Sequence, residues 1–421
     1  MAEAASNVFL LLSAVITLGF LGYILYERTR VSEVLMLLAF GVLVGPVLHL
    51  VPVESFAAAA PFFTTLALAM IMLEGGLELH LQDLVAAAGR SSLLALLGFG
   101  LSLGGVAVAA HALLGLGWLE SALLGAILGA ASSVVVFPLA ARLAASDRVR
   151  VMLGLDAALG EVLSVVSAIT LMEALSLQQA NVAHAAQQMA AQFSVAIVLG
   201  LVAGVAWARL LTALAGKRYH YMLTMAVVLA LHVGVVALGG SGPIAVLVFG
   251  VVLGNASTLR RAGLRASDFT PEMRTFQGEI TFFLRTFFFV YLGMTASLAQ
   301  LTGRSFAVAS GALTLALLLA RLVAARVAIL RGGFEPGTTA LLATIIPRGL
   351  AVAILAALPA AEYGLAFARD FPGYALGVIV LSNLVATLGV LAFGRARSRE
   401  VSVAEPAPRE ARSNAAAGIL K

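Results

Sequence analysis

The segment GTTALLATIIPRGLAVAILAALP (Gly337–Pro359) is long and apolar enough to cross a bilayer, yet Pro347-Arg348-Gly349 interrupts it near its middle. A hydrocarbon core of about 30 Å asks for about 20 apolar residues in helical form. Proline removes a backbone donor and glycine permits non-helical φ/ψ, so the helix is expected to break at the depth of Arg348. A second apolar run, 118–143, carries Gly125 and Gly129, then Ala130, Ala131, Ser132 and Ser133, and can break at a similar depth. Two interrupted helices at corresponding places in the two halves of a chain point to a transport site built from inverted repeats. Half-helix ends at such a site present partial charges to an ion.

The rest of the chain fits that frame. Of 421 residues, 61% are hydrophobic and only 11% are charged. That leaves too little polar surface to coat a soluble globule, so lipid is the expected surrounding partner. About thirteen runs can span, at approximately 7–26, 32–51, 57–78, 89–113, 118–143, 150–175, 188–212, 219–238, 242–258, 276–298, 303–330, 337–359 and 373–394. The expected fold is all-α, a polytopic membrane protein with inverted repeats and two broken helices. A transmembrane domain covers 1–394 and a short disordered cytoplasmic tail 395–421, where Arg395, Arg397, Arg399, Pro406 and Pro408 fall. The net charge of +5 comes from clusters between spans, such as Arg28 with Arg30, Arg148 with Arg150, and Arg260 with Arg261 and Arg265. No continuous basic stripe is present, so nucleic acid is not an expected partner. The clusters place those loops in the cytoplasm, with the N-terminus outside and the C-terminus inside. There is no cysteine, which excludes disulfides, thiolate metal sites and cysteine nucleophiles.

Ionisable residues within a span cost roughly 2.5–3.5 kcal/mol each on insertion scales, so each marks a candidate site. They are Glu74; Asp156, Glu161 and Glu173; Glu279 and Arg285; Arg321 and Arg326; and Arg348. Counting residues from the span ends puts Asp156 and Arg321 at depths where they can pair. Glu161, Arg348, Ser132 and Ser133 fall near the midplane. Glu279 and Arg285 point to different faces of one helix, each toward another span. The histidines, His49, His80, His111, His184, His220 and His232, fall mostly near span ends.

Gly41 through Gly45-Pro46, Glu74-Gly75-Gly76-Leu77, the run Phe282 through Phe289-Val290-Tyr291-Leu292-Gly293-Met294, Arg321, and Pro347-Arg348-Gly349-Leu350 together resemble the cation:proton antiporter superfamily, especially its sodium/proton exchanger branch. The resemblance covers most of the chain. It implies an ion site at a carboxylate preceded by Asn, with an acid five residues earlier paired to an Arg on the helix two before the last. The matching positions are Glu161, Gly160, Asp156 and Arg321. Gly160-Glu161 departs from the family's Asn-Asp, and Ala131-Ser132-Ser133 from its Thr-Asp-Pro; both changes bear on cation selectivity. The resemblance also implies a homodimer, with spans 4–6 and 11–13 as a moving core.

The expected activity is antiport of sodium or potassium against protons by alternating access, with no cofactor beyond the transported ions. Glu161 is the expected proton and metal-cation ligand, with Ser132, Ser133 and Asp156 in the same binding set, since hard cations take oxygen donors. Arg321, Arg348, Arg285 and Glu74 are expected structural or electrostatic partners. Arg348 either tunes the ion site or serves as a counter-charge to Glu161. With Asp156 neutralised by Arg321, one exchangeable acid remains, which favours electroneutral exchange. A cation channel or an organic-solute transporter also fits buried charges and broken helices. A membrane enzyme lacks support, because neither His-Glu-x-x-His nor Gly-x-Ser-x-Gly occurs.

Overall fold

The computed structural model describes residues 2–29, 31–48, 53–79, 89–143, 145–176, 182–214, 217, 219–261, 263, 266–267, 269–295, 303–330 and 332–404. Arg30, His49, His80, Arg218, Arg265 and Arg331 lie outside the described residues, as does the stretch 405–421. The described chain is helical, in the order α1 (Ala2–Thr29), α2 (Glu33–Val42), α3 (Val53–Glu78), α4 (Arg90–Leu114), α5 (Trp118–Leu128), α6 (Ser133–Arg142), α7 (Asp147–Ser176), α8 (Val182–Leu214), α9 (His220–Ala237), α10 (Gly242–Gly254), α11 (Ala256–Arg261), α12 (Pro271–Thr295), α13 (Arg304–Ile329), α14 (Thr338–Thr344), α15 (Leu350–Ala361) and α16 (Phe371–Ala404).

Every expected span has a helical counterpart. Among the described residues eight helical windows are long and apolar enough to cross a membrane, and shorter apolar helices accompany them. Large apolar side chains face outward along their length, including Leu96, Val202, Val233 and Leu315. A water-soluble monomer does not carry such a continuous apolar exterior. The multi-pass membrane reading follows from it.

Both expected breaks occur. α5 ends at Leu128 and α6 begins at Ser133; α14 ends at Thr344 and α15 begins at Leu350. The two unwound stretches meet where the Ser132 backbone N–H donates to the Pro347 carbonyl at 2.9 Å. Gly349 is required at this crossing, since a Cβ there would collide with the Ser132 side chain. Other boundaries differ from expectation. α2 passes into a π turn, Leu43–Val47, around Pro46, which cannot donate in an α-helical ladder. The ninth span is divided at Asn255, whose Nδ2 donates to the carbonyls of Leu79 and Val251. The final helix continues to Ala404, so the stretch expected to be disordered from 395 is helical for its first part.

Packing sorts the helices into two neighbourhoods. In one, α13 lies along α4, α5 and α7 pack on α4, and α6, α14 and α16 complete the group. In the other, α10 sits between α3 and α8, while α12 packs on α2 and α3. α2 and α12 approach closely because Gly41 and Gly293 face one another; a methyl group on either would run into the opposing backbone. α7 meets α3, and α12 meets α15, where the two neighbourhoods touch.

Candidate functional site

The breaks leave half-helix ends without intrahelical partners, and the buried side chains around them supply those partners. α5 ends with carbonyls exposed, and Arg348, only 2% accessible, fills that gap. Its Nε donates to the Leu128 carbonyl at 2.7 Å, Nη2 to Gly129 at 3.3 Å and Nη1 to Ile346 at 3.1 Å. A guanidinium at a helix C-terminus also opposes the negative end of the helix dipole. Its backbone is held in turn: the Arg348 N–H donates to Ser382 Oγ, and Asn383 Nδ2 donates to the Arg348 carbonyl at 2.8 Å. The hydrogen bonds of the Arg348 guanidinium go to carbonyls at the two breaks, a cap that neither expected role described.

The opposite end of the crossing is built for negative charge. Ser133 opens α6, where backbone N–H groups point out of the helix unpaired. Glu161, projecting from α7, accepts there: its Oε2 takes the Ser133 hydroxyl at 2.6 Å and the Ser133 backbone N–H at 3.2 Å. Glu161 is 7% accessible. Sequence thus places the acid, and the break in the neighbouring helix gives it a positive helix end to face.

Glu161, Ser132 and Ser133 line one cavity, together with Glu74 from α3 and Thr281 and Arg285 from α12. Thr281 Oγ1 donates to Glu74 Oε2 at 3.3 Å. One turn along α3 from Glu74 stands a further acid, Glu78, the last residue of that helix. Arg285 donates through Nη2 to both oxygens of Glu33 on α2, at 3.0 and 2.9 Å.

Asp156 lines a neighbouring cavity with Gly160, Arg321 and Arg348. Nη1 and Nη2 of Arg321 donate to the two Asp156 oxygens, and Nε donates to the Leu342 carbonyl at 3.1 Å. Asp156 and Arg321 are both buried. The structure therefore brings Glu161, Ser132 and Ser133 together, and separates Asp156 from them with its own basic partner.

Several residues were not anticipated. Glu33 and Glu78 fall near span ends, where an acid reads as solvated, and Thr281 has no distinguishing sequence context. Glu279 was expected to pair with another span and is instead exposed, as is Arg326. His111 Nδ1 bonds the Leu116 carbonyl at 2.6 Å while its ring stacks on Trp118, and His220 Nδ1 bonds the Lys217 carbonyl at 2.9 Å. Among the described residues no three His, Cys, Asp or Glu side chains converge as a metal cage. The oxygen-bearing side chains that share the cavity with Glu161 are Glu74, Ser132, Ser133 and Thr281.

A potassium/proton antiporter, NhaP2, of Shewanella sp. (strain ANA-3) is 27% identical over 238 residues, 56% of this chain and 42% of the relative. The NhaP2 of Shewanella oneidensis is 26% identical over 259 residues, 61% of this chain and 45% of the relative. The matched stretch is thus less than half the length of these relatives. The solved structure of the sodium proton antiporter MjNhaP1 from Methanocaldococcus jannaschii superposes with a TM-score of 0.72 at 20% identity, covering 91% of this chain and 96% of the other. The profile of the sodium/hydrogen exchanger transmembrane family matches residues 14–394, and the chain belongs to that family.

Proposed function

We propose that the protein exchanges a monovalent cation, sodium or potassium, for protons across the cell membrane, one for one, by alternating access. The observation that carries this reading is Glu161, buried at the N-terminus of a broken helix and facing a cavity lined by further oxygen donors. A carboxylate taken out of water demands compensation of its charge, which either a bound proton or a bound cation supplies. Competition between the two for one group couples their fluxes.

Ser133, and Ser132 beside it, are suited to complete the oxygen shell of a partly dehydrated cation. Glu74, across the cavity, adds negative potential toward the incoming ion. Asp156 is the clamp of the core rather than a ligand in this reading, since both its oxygens are taken by Arg321. With Asp156 paired, Glu161 is the acid bonded at the crossing, and one cation exchanged for one proton on that group is electroneutral. The helices packed around α4 and α13 act as the moving core against those packed around α3, α10 and α12. The N-terminus lies outside, the C-terminus in the cytoplasm, and two copies associate as a homodimer.

The test is transport by the purified protein in liposomes. Wild type is expected to dissipate an imposed pH gradient when sodium or potassium is added, at a rate that saturates and does not follow membrane voltage. Glu161→Gln, which keeps shape but cannot be ionised, is expected to abolish it. Continued exchange by that variant overturns the reading, and unsaturable flux without counterflow makes the protein a channel.

A further inference from the structure

The cavity beside Glu161 holds a charge of the wrong sign for a site that receives cations. With the carboxylates of Glu161 and Glu74, its wall includes the Arg285 guanidinium. That group does not deprotonate in proteins, so its charge is permanent. Its neutralisation is one-sided. Arg321 grips Asp156 with two nitrogens, whereas Arg285 reaches Glu33 through Nη2 alone. Arg285 Nε is buried and has no hydrogen-bond partner among the described residues. Its Cζ lies 5.8 Å from the centroid of the Phe282 ring. Arg285 shares the cavity wall with the Glu74 carboxyl.

We propose that Arg285 limits how tightly the cavity holds its cation, with Glu33 as the tether that keeps the guanidinium from advancing on the two acids. The inference rests on the exchanger reading of the same cavity. A transported ion must bind well enough to enter and weakly enough to leave. Two acids in a low-dielectric pocket would retain a cation strongly. A fixed guanidinium on the wall subtracts from that attraction in every conformation that includes it, which lowers affinity and hastens release. Arg285 is thus a positioning and affinity-setting residue, without contact to the cation.

The two members of the pair make opposite predictions. Removing Arg285 deepens the well, and removing Glu33 frees Arg285 to lean into it. Initial rates of cation-driven pH-gradient dissipation are measured against sodium and potassium concentration in proteoliposomes of the full chain. Arg285→Gln is expected to lower KM about tenfold and to reduce the maximal rate as release becomes slow. Glu33→Gln is expected to raise KM. Arg285→Lys, which keeps the charge, is expected to bring KM back above that of Arg285→Gln. The double variant Glu33→Gln with Arg285→Gln removes both charges, leaves no unpaired carboxylate, and is expected to show the lowered KM. It supplies the measurement if the single Arg285 variant does not fold.

A KM unchanged or raised when Arg285 is removed, in the single variant or in the double, overturns the proposal. So does a lowered KM in Glu33→Gln. Wild type is measured in parallel: if it does not exchange, the functional reading itself fails, whereas exchange by wild type without opposite shifts in KM rejects Arg285 alone.

Discussion

Asp156 and Glu161 stand five residues apart on α7, both buried, and their partners give them different roles. Asp156 shares two charge-assisted bonds with Arg321, while Glu161 accepts from a hydroxyl and a backbone amide. Asp156→Asn leaves a guanidinium buried without its counter-charge, which costs about 3–5 kcal/mol. We expect a marked fall in the melting temperature of the detergent-solubilised protein, and partial recovery when Arg321→Gln is added. Glu161→Gln keeps the hydrogen-bonded shape and is expected to melt close to wild type while losing transport. The pairing of Asp156 with Arg321 was readable in the sequence, because depth along two spans can be counted. The partner of Arg285 was not. Glu33 sits near a predicted span end, where hydropathy cannot tell an interfacial acid from one folded back onto a neighbouring helix.

At the scale of the helical elements, the two breaks are the decisive feature, and they differ in how openly the sequence declares them. Pro347-Arg348-Gly349 announces an interruption through backbone chemistry alone. The break between α5 and α6 contains no proline between Gly129 and Ser132, and depends on a tertiary contact, the bond from the Ser132 N–H to the Pro347 carbonyl. Local propensity does not reveal a contact of that kind. Gly349→Ala places a methyl group against the Ser132 side chain, so one break must shift away from the other. Overpacking of this kind costs about 1–3 kcal/mol. Exchange in liposomes is expected to fall about tenfold or more while the helical circular dichroism signal persists. Wild-type rates in Gly349→Ala would show that the crossing tolerates displacement.

At the scale of the whole molecule, the all-helical, multi-pass character was legible because apolar length is a direct requirement of the bilayer. Which span packs on which was not, since helices bathed in lipid are apolar on most faces and the usual amphipathic signal disappears. Close packing instead depends on small residues such as Gly41 and Gly293, ordinary in sequence until their opposition is seen. Gly41→Leu is expected to force α2 off α12 and lower the melting temperature by several degrees, a loss on the order of 1–3 kcal/mol. That seam also carries the Glu33–Arg285 pair, so residual transport is expected to show a shifted KM alongside the lowered melting temperature. A changed KM with unchanged melting would contradict this picture.

The cavity wall is divided between the two packing neighbourhoods: Glu161 and Ser133 belong to α7 and α6, and Glu74, Thr281 and Arg285 to α3 and α12. Displacement of one neighbourhood past the other by a single helical turn, about 5.4 Å, would carry Glu161 away from a second acid and a guanidinium at once. The passenger ion would then meet different electrostatic company on the two sides of the bilayer while its immediate oxygen ligands stayed the same. Loading and unloading would be unequal by construction, so initial rates should differ between two imposed gradients of equal size and opposite direction, while the point of zero net flux stays where the driving forces cancel.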